Sequence, residues 1–317
     1  MLTREALIAA IPHALDSVDV PGWGDKISGK VRDIYQKGDT RALIATDRVS
    51  AFDRILGLIP YRGQVLTQLS RFWFEHVSDI VNNHLIDLPD PNVMIVKEAQ
   101  TLPVEVVVRG YITGVTNTSI WTMYEKGDRA PYGVRLPDGL KKNDPLPQPV
   151  ITPTTKAEKG EHDEPLTRER ILESKLIAPD LWVKIEQAAL DVFRRGQEVA
   201  ANAGLILVDT KYEFGLIDGE LALIDEVHTP DSSRYWTAES YGQVDGPKHQ
   251  DKEHLRKWFA AQGYTGDGQP PTMPPSFLAE MAGLYISTYE ALTGQDFEPG
   301  EQPAAERIAR NIMAHYA

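Results

Sequence analysis

The segment from Leu205 to Trp236 constrains this chain more than any other stretch, and it reads LILVDTKYEFGLIDGELALIDEVHTPDSSRYW. A run of apolar residues leads into Asp209, Lys211 and Glu213, which are spaced two residues apart. In an extended strand, side chains at this spacing lie on one face. We therefore predict a strand that carries a lysine and two carboxylates side by side.

A hairpin is predicted from the residues that follow this strand. The pair at 218–219 is Asp-Gly, which favours a two-residue turn between antiparallel strands. With this pair at the centre of the turn, Glu213 faces Ile224 and Lys211 faces Glu226. The face that carries the lysine then gains a third carboxylate from the second strand.

This acidic face has two interpretations. Three carboxylates around one lysine are costly in an apolar core but suit a Mg²⁺ site that handles phosphate. The alternative is a solvated hairpin face on which charges serve solubility. Both strands enter through apolar runs, which favours central strands and a buried site. The loop after Asp225 adds hydroxyl groups and a guanidinium that bind phosphate or carboxylate. Its polar residues are Thr229, Asp231, Ser232, Ser233 and Arg234.

The composition excludes several kinds of site and partner. The 317 residues are 42% hydrophobic and 25% charged, as expected for a globular protein large enough for two domains. A net charge of −13 argues against nucleic acid as the main partner, because phosphate backbones bind basic surfaces. The absence of cysteine excludes disulfides, thiolate zinc sites and cysteine nucleophiles. No apolar stretch approaches the roughly 20 residues that span a bilayer. The first residues also lack a signal-peptide pattern, so we expect a cytoplasmic protein with no membrane partner.

The order of periodic segments predicts an α+β fold. Strands are predicted at 26–36, 41–46, 93–97 and 103–111, and helices at 3–16, 66–84, 166–203, 249–262, 276–293 and 303–317. A proline- and charge-rich connection at 127–165 is longer than an ordinary loop. Early strands followed by an α/β half place a domain boundary near residues 100–110.

Two further polar clusters lie in the first 60 residues. Lys30 and Arg32 follow Gly29 at strand spacing, so two cations on one face could hold a polyphosphate. An edge strand with exposed charges explains the same spacing. Ser50 and Asp53 follow an apolar strand and fit the wall of a cleft. A capped helix start explains their spacing equally well.

The middle of the chain supplies the remaining polar candidates. Arg109 closes a valine-rich strand, and a turn rich in glycine and hydroxyl residues follows it as far as Ser119. This arrangement favours an anion pocket, and an arginine that caps a helix C-terminus is the alternative. A proline-flanked loop, either solvated or a lid over a cleft, contains Lys156, Lys159, His162 and Asp163.

The chain contains eight motifs between about residues 26 and 260. They are GKVRDIY, TDRVSAFD, LTQLSRFWFEHV with NHLI, VVVRGYITG with SIW, TPTTKAEKGEHDEP, VDTKYEFG, DEVHTPDSSRYW and DKEHLRKW. Together and in this order they resemble the SAICAR synthetase family, the phosphoribosylaminoimidazole-succinocarboxamide synthases of de novo purine biosynthesis. The long central insertion and the segment KAEKGEHDEP resemble the yeast-like branch of the family.

The resemblance implies a fold and a reaction. The fold is a two-domain α+β fold, distantly similar to protein kinases and ATP-grasp enzymes. An ATP cleft lies between a β-rich domain at 1–104 and an α/β domain at 105–317. The reaction is an ATP-dependent ligation with Mg²⁺ as cofactor, in which ATP phosphorylates the carboxylate of carboxyaminoimidazole ribonucleotide (CAIR). The amine of L-aspartate then displaces phosphate to give SAICAR. The small-molecule partners are thus ATP, CAIR and L-aspartate, and the oligomeric state is left open.

Two other classes of function are compatible with the polar clusters. One is a kinase-like phosphotransferase that acts on a small metabolite and forms no amide. The other is a non-catalytic regulator that binds a nucleotide. A requirement for aspartate in ADP release separates the ligase from the phosphotransferase, and turnover itself separates it from the regulator.

The resemblance also implies roles for individual residues. The catalytic residues are Lys30, Asp209 and Lys211. ATP is bound by Lys30, Arg32, Glu105, Glu213 and Asp225, with adenine near 102–105, and the metal is bound by Glu213 and Asp225. The substrates are bound by Ser50, Asp53, Arg109, Ser119, Lys159, Asp231 and Arg234. The hairpin register favours Glu226 on the acidic face, whereas the family favours Asp225, and a β-bulge or strand twist near the strand end would reconcile the two.

Overall fold

The computed structural model describes residues 2–116, 118–156 and 164–316. Its strands are β1 (Asp25–Ser28), β2 (Arg32–Lys37), β3 (Thr40–Ala45), β4 (Arg48–Ala51), β5 (Arg54–Leu58), β6 (Asn82–Asn83), β7 (Leu85–Asp90), β8 (Val93–Lys97), β9 (Gln100–Tyr111), β10 (Pro145–Ile151), β11 (Thr154–Thr155), β12 (Leu205–Ile217), β13 (Glu220–Ile224) and β14 (Ser233–Thr237). Its α-helices are α1 (Arg4–Ala10), α2 (Arg62–His76), α3 (Ile120–Glu125), α4 (Arg168–Glu173), α5 (Pro179–Asn202), α6 (Glu253–Ala261), α7 (Pro275–Thr293) and α8 (Ala304–Tyr316). Helices and sheets in one chain confirm the α+β class. None of the helices in these ranges combines the length and the apolar character needed to cross a membrane.

The first sheet is antiparallel and has the strand order β1-β2-β3-β8-β7. The last helix, α8, packs against it, with Ile308 and Ile312 in the same buried cluster as Ile44 and Ile95. The buried Arg307 of α8 also donates to the carboxylate of Asp90 through two nitrogens, at 2.8 and 3.1 Å. The C-terminal residues therefore complete the N-terminal sheet.

The second sheet carries the acidic hairpin. Its main strand order is β10-β9-β12-β13-β6, with β11 paired to β9 and β14 paired to β12. Helix α5 covers one face of this sheet. Its Phe193 ring packs so close to Gly110 of β9 that a Cβ added at Gly110 would lie 3.3 Å from the ring. On that face Val106 and Val108 of β9 join Tyr212 of β12 in the main hydrophobic core. The opposite face of the two strands is left for polar side chains.

The two sheets are connected through shared segments of chain. Strand β9 runs across the predicted boundary at 104/105 without a break. Strand β6, which precedes that boundary, pairs in parallel with β13, with Asn82 opposite Ala222 and Asn83 opposite Leu223. The division into domains 1–104 and 105–317 stays a prediction, and any boundary there lies within a continuous strand.

Some predicted elements differ from the observed ones. The predicted strand 26–36 is the hairpin β1–β2, since the Gly29 N–H donates to the Arg32 carbonyl at 2.8 Å and turns the chain. Lys30 therefore lies in the turn and not on a strand face with Arg32, so that prediction was wrong. The predicted connection 127–165 contains strands β10 and β11.

Candidate active site

The acidic face of β12 forms as the residue spacing predicts. In the β9–β12 ladder, Asp209 lies opposite Arg109 and Glu213 lies opposite Glu105. Between these pairs, the Lys211 ammonium donates to Glu105 at 2.6 Å and to Glu213 at 3.0 Å. The interpretation as a merely solvated face is wrong, because the side chains of Glu105 and Glu213 are only 10% and 12% exposed.

Lys211 is held in its charged form by this cluster. Burial alone lowers the pKa of an ammonium group, but the neighbouring carboxylates of Glu213, Glu105 and Asp225 outweigh it and raise the pKa of Lys211 above its ordinary value. A second lysine, Lys156, forms an ion pair with the other oxygen of Glu213. The site thus contains lysines and carboxylates that alternate and pair with one another.

The hairpin register is confirmed at one position and corrected at another. Glu213 lies opposite Ile224 as predicted. Lys211 does not face Glu226, because Asp225 adopts a left-handed conformation (φ 70°) and ends the strand, and the Lys211 N–H donates instead to the Ser232 carbonyl at 2.9 Å. This backbone turn, rather than a β-bulge, brings Asp225 toward the site.

Asp225 is paired with a cation from the first sheet. The Arg32 guanidinium donates to the Asp225 carboxylate and lies 3.5 Å from Glu226. Burial raises the pKa of Asp225, but Arg32 and Lys211 outweigh that effect and hold it below its ordinary value, so the carboxyl group is ionised at neutral pH. Burial raises the pKa of Glu226. Arg32 and Asp225 therefore join the two sheets at this point.

The tips of two further hairpins meet in a second ion pair. Lys30, in the turn between β1 and β2, forms an ion pair with Asp53 at 2.7 Å. Asp53 lies in the turn between β4 and β5, where Phe52 and Asp53 both have positive φ. The alternative of a capped helix at Ser50 is wrong, because Ser50 lies in β4. The turn that contains Gly29 and Lys30 thus contacts Asp53, which the resemblance assigns to substrate binding.

A second pair of cations lies at the other end of the acidic face. Arg109 and Arg234 both donate to the Asp209 carboxylate, the former at 3.3 Å, and Arg109 also donates to the Thr152 hydroxyl at 2.8 Å. Arg109 lies within β9, so it caps no helix and that alternative is wrong. Arg234 also lies 3.9 Å from Glu253, which pairs with Arg256 at 3.1 Å. Three guanidinium groups around two carboxylates leave an excess positive charge, which suits an anionic substrate.

Two predicted substrate residues have structural partners. Ser119 is the N-cap of α3 and accepts from the Thr122 N–H. Asp231 accepts from Arg62 at 2.5 Å, from Lys252 at 2.9 Å and from the Tyr285 hydroxyl at 2.5 Å.

Lys159, together with His162 and Asp163, lies outside the described residues, and its role stays a prediction. Sequence reasoning named Lys156 as part of the candidate loop but gave it no role, and it left Arg62, Lys252 and Tyr285 out of the site. Of these, Lys156 and Lys252 lie in the motifs TPTTKAEKGEHDEP and DKEHLRKW, which was the available signal.

Comparisons with known proteins show the family of this chain. The family model described as SAICAR synthetase matches residues 25–271. A putative phosphoribosylaminoimidazole-succinocarboxamide synthase 2 of Agrobacterium fabrum is 50% identical over 307 residues, covering 94% of this chain and 97% of the relative. A phosphoribosylaminoimidazole-succinocarboxamide synthase of Legionella pneumophila (strain Lens) is 47% identical over 314 residues, with 96% and 99% covered.

Solved structures show the same similarity. SAICAR-synthase from Saccharomyces cerevisiae, complexed with SAICAR, superimposes with a TM-score of 0.79 and 33% identity, covering 90% of this chain and all of the yeast chain. A SAICAR synthetase (Type-2) in complex with ADP gives a TM-score of 0.67 and 25% identity, covering 87% of this chain and all of that one. The chain belongs to the SAICAR synthetase family.

Proposed function

We propose that this protein is an ATP-dependent ligase that joins L-aspartate to CAIR and releases SAICAR, ADP and phosphate in de novo purine biosynthesis. The observation that carries the proposal is the acidic face of β12. It has the Lys211, Glu105 and Glu213 cluster at one end and the Arg109, Asp209 and Arg234 cluster at the other. The names of the relatives, and the SAICAR and ADP in the two solved structures, support it.

The chemistry requires both ends of this face. A carboxylate is a poor electrophile, so the γ-phosphoryl group of ATP is first transferred to a carboxylate oxygen of CAIR. The aspartate nitrogen then attacks the acyl carbon, phosphate leaves with the former carboxylate oxygen, and the nitrogen loses its proton. Fixed cations are needed along the path of the moving negative charge. Lys30, Arg32 and Lys211 supply them on the ATP side.

Mg²⁺ fits the acidic end of the face. This ion takes hard oxygen ligands and is usually bound by one or two protein carboxylates together with phosphate oxygens and water. Glu213 and Asp225 would hold it, and it would neutralise charge on the phosphates. No group of three or more histidine, aspartate or glutamate side chains suited to a metal occurs within the described ranges. Two carboxylates completed by phosphate match that donor set.

The substrates are assigned to the other end. Arg109 and Arg234 bind the anionic groups of CAIR and aspartate, with Asp209 holding the two guanidinium groups in place as a catalytic residue. Ser50 and Asp53 of the β4–β5 hairpin form the wall beside them, and the resemblance assigns Lys159 to substrate binding as well. Ser119 and Asp231 contribute to substrate binding by holding nearby segments in place, Ser119 at the start of α3 and Asp231 in the loop before β14.

The adenine is assigned to the backbone near 102–105. The Glu105 side chain lies at the phosphate end of that segment, where it pairs with Lys211. A cytoplasmic location stays a prediction.

Product analysis tests the proposed function. The protein is mixed with ATP, Mg²⁺, CAIR and L-aspartate, and the succinyl amide is sought by mass spectrometry while ADP release is followed. We expect SAICAR, with ADP release that requires aspartate. Equal ADP release without aspartate would support a kinase-like phosphotransferase instead. ATP binding without turnover would indicate a regulator.

Replacing Lys30 with alanine should weaken ATP binding. The expected rise in the KM for ATP is about tenfold or more, because a hydrogen bond to a charged group contributes about 1.5–3 kcal/mol. The exposed Lys97 of β8 provides the control, since Lys97→Ala removes the same charge elsewhere. An unchanged KM and kcat in the Lys30 variant would leave this turn with a structural role only.

Replacing Arg234 with alanine should mainly impair the binding of CAIR or aspartate. We expect the KM for one of these substrates to rise about 10- to 100-fold, as for the loss of a charge-assisted bidentate contact. Steady-state kinetics with each substrate varied in turn measures this. Arg194→Ala, on the exposed side of α5, is the matched control. Unchanged constants for both substrates would refute the role of Arg234.

A further inference from the structure

Glu213 is shared between two lysines. Its Oε1 accepts from Lys211 at 3.0 Å, and its Oε2 accepts from Lys156. The two lysines are held differently, because Lys211 also donates to Glu105 at 2.6 Å. For Lys156, the ion pair seen among the described residues is the one with Glu213. The Lys156 side chain is 38% exposed, compared with 12% for Glu213.

The backbone around Lys156 is fixed on the edge of the site. Strand β11 pairs with β9, with Thr154 opposite Glu105 and Thr155 opposite Val104. The Lys156 N–H also donates to the Pro103 carbonyl at 3.3 Å. The backbone pairing therefore holds Lys156 beside Glu213 at the edge of the sheet. Only the long side chain of Lys156 has to move for its ammonium group to change partner.

A metal ion and Lys156 compete for the same oxygen. Mg²⁺ binds a carboxylate oxygen at about 2.0–2.1 Å, so an ammonium group in hydrogen-bond contact with that oxygen would lie against a second positive charge. Lys211 can remain because Glu105 still pairs with it. Lys156 has to leave, and the nearest incoming negative charge in the proposed reaction is on the phosphates.

We propose that Lys156 neutralises Glu213 in the metal-free site and moves to an oxygen of the transferred phosphoryl group when the metal takes its place. The role rests on the proposed ligase function. It makes Lys156 a catalytic residue for phosphoryl transfer as well as a placeholder for the metal. The charge of Lys156 also lowers the pKa of Asp225, so Lys156 interacts with both carboxylates assigned to the metal.

Two measurements with opposite signs test this role. The first measurement is calorimetric titration of Mn²⁺ alone into the nucleotide-free protein. The Lys156→Met variant should bind Mn²⁺ about three- to tenfold more tightly than the wild-type protein, because a competing charge a few ångströms away is gone. In the same variant, kcat for SAICAR formation should fall about 100-fold, as when one transition-state donor is removed, while the KM for ATP changes little. A purely structural lysine would not tighten metal binding.

Three further proteins make the result decisive. Lys156→Arg keeps the charge and should retain near wild-type Mn²⁺ affinity. It also provides a test of the charge if the Lys156→Met protein fails to fold. Lys184 is an exposed residue of α5, so Lys184→Met removes one charge away from the site and should change neither Mn²⁺ affinity nor kcat. Unchanged or weaker Mn²⁺ binding in Lys156→Met would overturn the placeholder role. Tighter binding with normal kcat would overturn the contact with the phosphoryl group. Wild-type protein that forms no SAICAR would contradict the proposed function itself, whatever the metal affinities.

Discussion

Asp225→Asn should reduce kcat for SAICAR formation by about two to three orders of magnitude, comparable with the loss of a key electrostatic group at a transition state. The change keeps the shape of the side chain but removes the charge that Arg32 and Lys211 hold ionised. A neutral amide is a much weaker ligand for Mg²⁺, and Arg32 loses one of its two charged partners, which leaves Glu226 at 3.5 Å. Turnover measured across a range of Mg²⁺ concentrations will show the loss.

The hairpin itself offers a control for this variant. Asp218 is an exposed turn residue on the same hairpin, with φ 54°, and asparagine tolerates that conformation. Asp218→Asn therefore makes the same chemical change without touching the site, and should leave kcat and the thermal midpoint unchanged. Near-normal Mg²⁺-dependent turnover in a folded Asp225→Asn protein would remove Asp225 from the metal site.

Asp231→Asn should destabilise the protein by about 3–5 kcal/mol, because removing one partner of a buried ion pair leaves uncompensated charge. The Asp231 carboxylate lies between Arg62, which is buried, and Lys252, whose side chain is 13% exposed, and it also accepts from the Tyr285 hydroxyl. Urea denaturation at pH 7 measures the change in the free energy of unfolding. Asp267→Asn, at an exposed loop position, is the control. A loss below about 1 kcal/mol would show that this network contributes little, as for a surface pair.

The same variant should change how stability depends on pH. Burial raises the pKa of Asp231, but Arg62 and Lys252 outweigh it and hold the pKa well below its ordinary value. A lowered pKa in the folded state means that the stabilisation is present above the unfolded value of about 3.9 and is lost as the pH falls further. The wild-type protein should therefore lose stability below about pH 4. Asp231→Asn should lack that component, and parallel curves for the two proteins would contradict this assignment.

The acidic hairpin was predictable because its signals are local. Alternating residues set the face that carries Asp209, Lys211 and Glu213, and the Asp-Gly pair set the register of Glu213 with Ile224. The end of the hairpin was not predictable in the same way. Asp225 turns left-handed where the Lys211 N–H bonds to the Ser232 carbonyl and where Arg32 arrives from the other sheet. Those contacts are tertiary and leave no periodic pattern.

Two other features could not be read from the sequence for the same reason: the structure around Ser50 and the partners of Asp231. The spacing of Ser50 and Asp53 is shared by a helix cap and by a tight hairpin, and only the pairing of β4 with β5 decides between them. The resemblance implied a substrate role for Asp231, and that role stays a prediction. Its strongest partners, Arg62 and Tyr285, are 169 and 54 residues away along the chain, so no local motif could reveal them.

A crystal structure of the protein with Mg²⁺ and a non-hydrolysable ATP analogue tests the central claim most directly. We expect a carboxylate oxygen of Glu213 and one of Asp225 within about 2.0–2.2 Å of a metal ion that also contacts phosphate oxygens. Lys30 and Arg32 should close over the triphosphate from the other sheet. If both carboxylates instead stay on their lysine and arginine partners and point away from every phosphate oxygen, the assignment of this face to metal and ATP is contradicted.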